Sequence, residues 1–219
     1  TNINSEVELM KSQKIISKTI QNLNSEIQYY SEGDILTRDL YKRSPFKLVD
    51  FKLKNLSLSS TPLYISFDNE YFKITNSTKS ITYAEYIKNN SFFSNEYFSG
   101  KLIISGTLNS FIESLNNYNY YFIIPTLIER RQEITEHLEI NILDYAANTI
   151  GVSYKHTNPI YAQDVCNEIA KSYIDYDLTK KAISSVKIVE FINAQKDSVD
   201  VRLKDSEREI QIFKKENNV

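Results

Sequence analysis

The side chains best suited to metal binding or catalysis are few and scattered along this chain. Its two histidines, His137 and His156, flank two predicted strands and would approach one another if those strands pair. A zinc site needs three or four His, Cys, Asp or Glu ligands, and no further cluster of such residues adjoins this pair. The sequence therefore predicts no metal site, no cofactor site and no catalytic residue.

Other reactive features have ordinary explanations. Cys166 lies on the apolar side of a predicted helix, where a buried and unreactive thiol is the usual case. Arg130 and Arg131 could contact an anionic polymer, although two adjacent basic residues are more often simply solvated. No pair of carboxylates stands out from the surface background, which disfavours a glycosidase.

Charge and apolar runs narrow the class of protein further. The net charge is −2, from 26 basic and 28 acidic residues, so no basic face indicates a nucleic-acid partner. No apolar run reaches the roughly 18 residues that a membrane span needs. The chain starts at Thr1 and ends in a charged segment without a helix-terminating signal. We therefore expect it to be part of a longer protein.

Residues 1–157 predict an α+β base domain with a mixed β-sheet and an N-terminal helix. Leu9, Ile16 and Ile20 share one stripe of that helix, which is expected over residues 4–23 with Ser5 as its N-cap. Helix, several strands and a final helix follow one another without βαβ repeats, which favours α+β. Alternating or apolar runs predict strands at 27–30, 49–53, 63–67, 71–75, 120–124, 138–142 and 150–154. Val49 is expected on the core face of its strand with Phe51 and Leu53, and the strands at 63–67 and 71–75 are expected to form a hairpin. A bulge or turn is expected at Asn55, and residues 76–119 suggest an irregular, partly stranded segment.

Residues 158–219 predict one very long helix that projects from the base. Asn158 is the expected N-cap and Pro159 the first helical residue, where a missing N–H costs nothing. A stripe at Ala162, Val165, Ile169 and Tyr173 would pack on the sheet, with Cys166 and Ala170 beside it. Further along, one 3.5-residue seam holds Leu178, Ala182, Val189, Ile192, Val199, Leu203, Ile210 and Phe213. Lys196 and Ser206 also occupy seam positions and weaken it, and a solvated charged helix would not need this register of apolar residues.

The start of the long helix combines Asn158, Pro159, Ala162, Asn167 and Tyr173. Through these residues the sequence resembles a known family, the polysaccharide co-polymerases or chain-length determinants of the Wzz/Wzc type. Residues 6–20 are similar to the family's first periplasmic helix. The segment with Tyr29, Gly33 and Pro45 is similar to the strand and turn that follow it in the large forms fused to a tyrosine autokinase. Residues 76–125 look like the variable insertion of those forms.

The resemblance implies a periplasmic domain between two inner-membrane helices, neither of which lies in this sequence. Subunits would assemble into a ring that regulates the length and export of capsular polysaccharide or exopolysaccharide, together with the polymerase and export machinery. The kinase of the large forms would be a separate cytoplasmic domain, and this part would not be an enzyme. Residues 158–219 would be the outgoing arm of a helical hairpin that the end of the sequence truncates. Its partner seam would comprise Ile192, Val199, Leu203, Ile210 and Phe213.

Two other kinds of function fit parts of the pattern. An adaptor subunit of an export pump also carries a helical hairpin, but inside paired β-rich half-motifs that this sequence does not show. A binding module with a coiled-coil arm would be favoured by a soluble full-length protein with a different C-terminal domain. Because the seam is interrupted and the returning helix is missing, residues 1–219 are expected to be monomeric or weakly associated in solution.

Overall fold

A computed structural model of the chain describes residues 2–23, 25–68 and 70–216, with the backbone alone for Glu216. It confirms the α+β class, with antiparallel sheets, N-terminal helices and a 58-residue C-terminal helix. In chain order the described elements are α1 (Ile3–Met10), α2 (Gln13–Asn22), β1 (Gln28–Glu32), β2 (Thr37–Asp39), β3 (Phe46–Leu53), β4 (Leu63–Asp68), β5 (Tyr71–Thr75), β6 (Thr82–Ile87), β7 (Phe92–Ser94), β8 (Phe98–Ile104), α3 (Leu108–Ser114), β9 (Asn119–Ile123), α4 (Leu127–His137), β10 (Leu138–Asp144), β11 (Thr149–Tyr154) and α5 (Pro159–Glu216). None of the described helices is both long enough and apolar enough to cross a membrane.

The N-terminal helical segment is a pair of helices, not one helix over residues 4–23. Asn2 caps α1, and Ser12 caps α2 by accepting the backbone N–H of Ile15 at 3.4 Å. Ser12 has extended backbone angles, φ −64° and ψ 148°, so the helical hydrogen bonds are interrupted there. Ser5, the expected cap, lies inside α1.

The larger of three described sheets has six strands in the order β2-β1-β9-β4-β5-β6, and all of its pairings are antiparallel. The predicted hairpin is confirmed as β4 and β5, with Ile65 opposite Ile74. The apolar run expected to form a buried strand is β9, which lies between β1 and β4 and buries Tyr120 and Phe122. Tyr121 and Ile123, on the other face of β9, are half-buried, and the Tyr121 ring packs against Tyr30 and Tyr64, so both faces of the strand carry packed apolar side chains.

A second sheet, in the order β3-β8-β7, corrects the expected register of β3. Phe46 and Leu48 are buried, whereas Val49, which was expected on the core face, is exposed. Asp50 has a φ of 52°, and the pairing of β3 with β8 shifts register beside it. The bulge is therefore at Asp50. Of the bulge or turn expected at Asn55, the structure has the turn, a short 3-10 turn that Asn55 caps.

Residues 76–119 are more regular than the sequence suggested. β6 forms an edge of the six-stranded sheet, β7 and β8 complete the second sheet, and α3 contributes buried Phe111. Both sheets and α3 share one apolar cluster, in which the ring centroids of Phe46 and Phe111 lie 5.8 Å apart. This segment thus supplies part of the core.

The contacts divide the chain into two compact units, Thr1–Ser172 and Tyr173–Val219. The first unit includes residues 159–172 of α5, which we call the root, and residues 173–216 of the same helix are called the arm. The sequence placed the boundary between residues 157 and 158. The root belongs to the first unit because its Tyr161, Val165, Ile169 and Ser172 are buried there.

Candidate functional site

The root begins at the cap that the sequence predicts. The Asn158 side-chain oxygen accepts the backbone N–H groups of Ile160 at 3.1 Å and Tyr161 at 3.3 Å, and Pro159 is the first helical residue. The Asn158 amide nitrogen donates to the carbonyl and carboxylate oxygens of Asp39, at 3.3 Å and 3.2 Å. Asn158 therefore both starts the helix and ties it to the end of β2.

Two polar contacts further along tie the root to other parts of the first unit. Lys42 lies 2.5 Å from the carboxylate of Asp164 and holds the pKa of that carboxyl below its usual range. The Asn22 amide, at the end of α2, donates to the Glu168 carboxylate at 2.6 Å. Because Lys42 and Asn22 are exposed and their partners Asp164 and Glu168 only half-buried, each contact contributes modestly to stability, about 1 kcal/mol or less.

The buried face of the root is rotated from the predicted one. Val165 and Ile169 are buried as expected, but Tyr161 and Ser172 complete the stripe, and Ala162 and Tyr173 are half-buried. Tyr161 can be buried in this stripe because its hydroxyl has polar partners in the interior, as a buried tyrosine requires. Among the other residues of the resemblance, Asn167 is exposed.

At the base of the root lies a buried arginine that sequence reasoning missed. The Arg130 side chain is 2% exposed and comes from α4, which a capping box of Thr126 and Glu129 begins. Its guanidinium donates to the Glu133 carboxylate at 2.6 Å, to the Tyr161 hydroxyl at 2.6 Å and to the Ser25 hydroxyl at 3.1 Å. One cation thus joins α4, the loop before β1 and the root.

The electrostatics of this cluster favour a charged Arg130 and a neutral Tyr161. Burial works to lower the pKa of Arg130, but Tyr161 and Glu133 outweigh it, so that its pKa lies above the usual value. Burial raises the pKa of Tyr161, and the nearby Arg130 cation offsets only part of that rise. Removing one partner of a buried ion pair strongly destabilises a protein, because the remaining charge is left without its counter-ion.

A cleft of about 240 Å³ adjoins the Arg130 cluster. Its wall includes Tyr29, Tyr41 and Lys42 together with Arg130 and Tyr161. Two of the cations at this wall have partners of their own, since Lys42 pairs with Asp164 and Arg130 with Glu133. The interactions described at this cleft connect the root to the rest of the first unit.

The two histidines contact the same tyrosine ring. Ring centroids of His137 and Tyr154 are 6.3 Å apart, and those of Tyr154 and His156 are 6.0 Å apart. In the part of the chain that the structure describes, no group of three or more His, Cys, Asp or Glu side chains could hold a metal ion. Burial raises the pKa of the Cys166 thiol, which lowers its reactivity at neutral pH.

The arm carries the predicted seam on an exposed helix. Ile192, Val199, Leu203, Ile210 and Phe213 are each between 55% and 65% exposed. Apolar side chains repeated at heptad spacing on an exposed helix indicate an interaction surface. At about 1.5 Å per residue, the arm alone, residues 173–216, is about 66 Å long.

Comparisons with known proteins assign no family. No protein-family model matches the chain, and no curated protein matches it either. Among solved structures, FlgL of Xanthomonas campestris matches with 11% identity and a TM-score of 0.30 over 83% of this chain and 54% of that one. The aligned region thus spans about half the length of that protein. A TM-score of this size is below the level of a shared fold, so this match supports neither a fold nor a function.

Proposed function

We propose that this chain is the periplasmic domain of an inner-membrane polysaccharide co-polymerase. In this proposal the domain regulates the chain length and export of a capsular polysaccharide or exopolysaccharide by assembling with copies of itself into a ring. The resemblance of residues 6–20 and of the start of the long helix to chain-length determinants motivates the assignment.

The observation that carries the proposal is the combination of root and arm in one helix. The root is capped by Asn158, buried along Val165 and Ile169, and joined to α4 through Tyr161 and Arg130. The arm then exposes apolar side chains at heptad spacing over many turns. A helix that is anchored at one end and carries an exposed seam along the rest is suited to subunit assembly.

In this proposal, chain-length control through assembly requires no catalytic group in this domain. The polar clusters described above hold the protein together, because Arg130, Asp164 and Glu168 each contact another side chain of the first unit. In the proposed assembly, copies of the domain meet each other and the polymerase, while spans outside this sequence hold them in the membrane.

Membrane topology of the full-length gene product tests the proposal. Reporter fusions after Val219 and before Thr1 should place this region in the periplasm, with one transmembrane segment on each side. A full-length protein without two spans bracketing the region would refute the assignment. A soluble full-length protein with another C-terminal domain would instead support a binding module with a coiled-coil arm.

A further inference from the structure

We propose that the arm binds the arm of a second copy of this chain as a parallel, in-register, two-stranded coiled coil. The inference comes from the charges that flank the seam and does not depend on the proposed function. In heptad notation Leu203 is an a position and Val199 is a d position. The other a positions of the arm are Asp175, Ala182, Val189, Lys196 and Ile210, and the other d positions are Leu178, Ser185, Ile192, Ser206 and Phe213.

The flanking charges are complementary in the parallel arrangement. In a parallel pair, a g residue of one helix meets the e residue five positions later on the other. Arg202 at g would then meet Glu207 at e, and Glu209 at g would meet Lys214 at e. By symmetry each pair forms twice. The remaining g and e positions of the arm bring no two like charges together.

The apolar residues agree with this register. In a parallel in-register pair every seam residue faces its own counterpart, so Ile192, Val199, Leu203, Ile210 and Phe213 form apolar layers. All five are more than half exposed in the single chain, so pairing of two arms would bury them.

Asp175, in the first turn of the arm, and Lys196, in its middle, are the charged residues at a and d positions, and each faces its own counterpart in this register. A single polar residue at an a position lowers stability but specifies register. The long aliphatic part of lysine can lie along the seam while the ammonium group reaches solvent.

Antiparallel arrangements satisfy fewer of these contacts. A pair centred near Val201 would overlap the apolar half of the arm, but it would place Arg202 against Arg202 and Asp200 against Asp200. A pair centred near Ala194 would keep opposite charges together but would place Lys196 against Ile192. The parallel register avoids the repulsion between Arg202 side chains and between Asp200 side chains, and it keeps Ile192 opposite an apolar residue. It places Lys196 opposite Lys196, where both ammonium groups reach solvent.

Disulfide trapping tests the register directly in residues 1–219 with Cys166→Ala as background. Ile192→Cys and Ile210→Cys should each form a disulfide-linked dimer under mild oxidation, because identical a or d residues face each other across a parallel pair. Val201→Cys, an exposed control outside the seam, should link at least about tenfold less. The two seam positions lie about 27 Å apart along the helix, so no antiparallel register can link both to their own counterparts.

Trapping at both seam positions supports the proposal. Trapping at one alone would show an antiparallel pair and overturn it. Trapping at neither would also overturn it, and would assign the seam to another occupant such as a returning segment of the same protein.

A charge swap gives an independent reading in solution. Glu207→Arg would bring Arg202 of each copy against a second arginine and should weaken dimerisation roughly tenfold, measured by sedimentation equilibrium. The double variant Arg202→Glu/Glu207→Arg should restore the affinity to within about threefold. Equal dimer affinity for the single variant and the unmodified chain would contradict the proposed register.

Discussion

Replacing Arg130 by alanine tests whether the buried guanidinium holds the root in place. The change removes the donor to the Tyr161 hydroxyl at 2.6 Å and to the Ser25 hydroxyl at 3.1 Å, both in buried residues. A buried polar group that loses its partner costs about 1–3 kcal/mol. At about 1.5 kcal/mol for each hydroxyl, Arg130→Ala should lower the free energy of unfolding by about 3 kcal/mol. The Glu133 carboxylate adds little to this, because it is partly exposed.

Urea unfolding, followed by tyrosine fluorescence, measures the free energy of unfolding of the first unit, which contains Arg130. The chain has sixteen tyrosines and no tryptophan, and Tyr173 and Tyr176 alone among them lie beyond Ser172. The signal therefore reports mainly on the first unit. A loss of about 3 kcal/mol should also lower the melting temperature by about 6–12 °C.

Arg131→Ala is the matched control because it removes the neighbouring arginine. Arg131 donates to Gln13 at 3.2 Å in an exposed contact, so its loss should cost less than about 1 kcal/mol. Two variants that differ by less than about 1 kcal/mol would refute the view that Arg130 anchors the root. The comparison requires that both variants have the same urea m-value as the unmodified chain.

Three further predictions concern the root, the second sheet and the tyrosines. Ile169→Ala should lower the free energy of unfolding of the first unit by about 2–5 kcal/mol, because Ile169 is fully buried. Ile192→Ala in the arm should change it by no more than about 0.5 kcal/mol in the same fluorescence assay, because Ile192 is exposed. Gly100→Ala should lower the free energy of unfolding by about 1–3 kcal/mol, since the new methyl group would lie 3.0 Å from the Phe51 backbone. Gly151→Ala should lower it by less than about 1 kcal/mol in the same urea titration, since the neighbouring Leu143 side chain is flexible and can move. Alkaline pH should unfold the first unit, because burial raises the pKa of several tyrosines above that of the unfolded chain. The stability that these neutral tyrosines contribute is complete below about pH 10 and is lost above it, as tyrosines ionise in the unfolded chain. Tyrosinate absorbance during a pH titration would follow this unfolding. The tyrosines concerned include half-buried Tyr29, Tyr30 and Tyr121 and buried Tyr161.

Elements with regular apolar patterns were predictable from sequence. The hairpin of β4 and β5, the apolar strand β9 and the pair β10 and β11 all form where alternation or a continuous apolar run indicates them. The start of α5 was also predictable, because Asn158 and Pro159 make a specific cap signal. In each case the information lies within a few neighbouring residues.

Features that depend on distant partners were not predictable. Val49 alternates with Phe51 and Leu53 in the sequence, yet it follows buried Leu48 on the opposite face, and the bulge at Asp50 changes the phase of the strand after it. Arg130 looks like half of a solvated basic pair, and only folding brings Ser25 and Tyr161 to it. The capping box at Thr126 was the local signal that could have placed Arg130 on a helix, four residues before buried Ile134.

The root and the arm differ in how they use one continuous helix. In the root, apolar residues such as Val165 and Ile169 are buried within the first unit. In the arm, residues of similar size, such as Val199 and Ile192, remain exposed. The apolar seam of the arm is therefore not needed to fold the first unit, which is the behaviour expected of an interaction surface.

The chain-length distribution of surface polysaccharide tests the central claim most directly. Cells would carry the full-length gene, its deletion, or one of two arm variants, Leu203→Glu in the seam and Val201→Glu outside it. Both residues are apolar and similarly exposed, so the variants match in charge and position. We predict that the deletion and Leu203→Glu abolish the preferred chain length on a gel, while Val201→Glu preserves it. An unchanged distribution in the deletion strain would contradict the proposed function, and equal effects of the two variants would contradict the role of the seam.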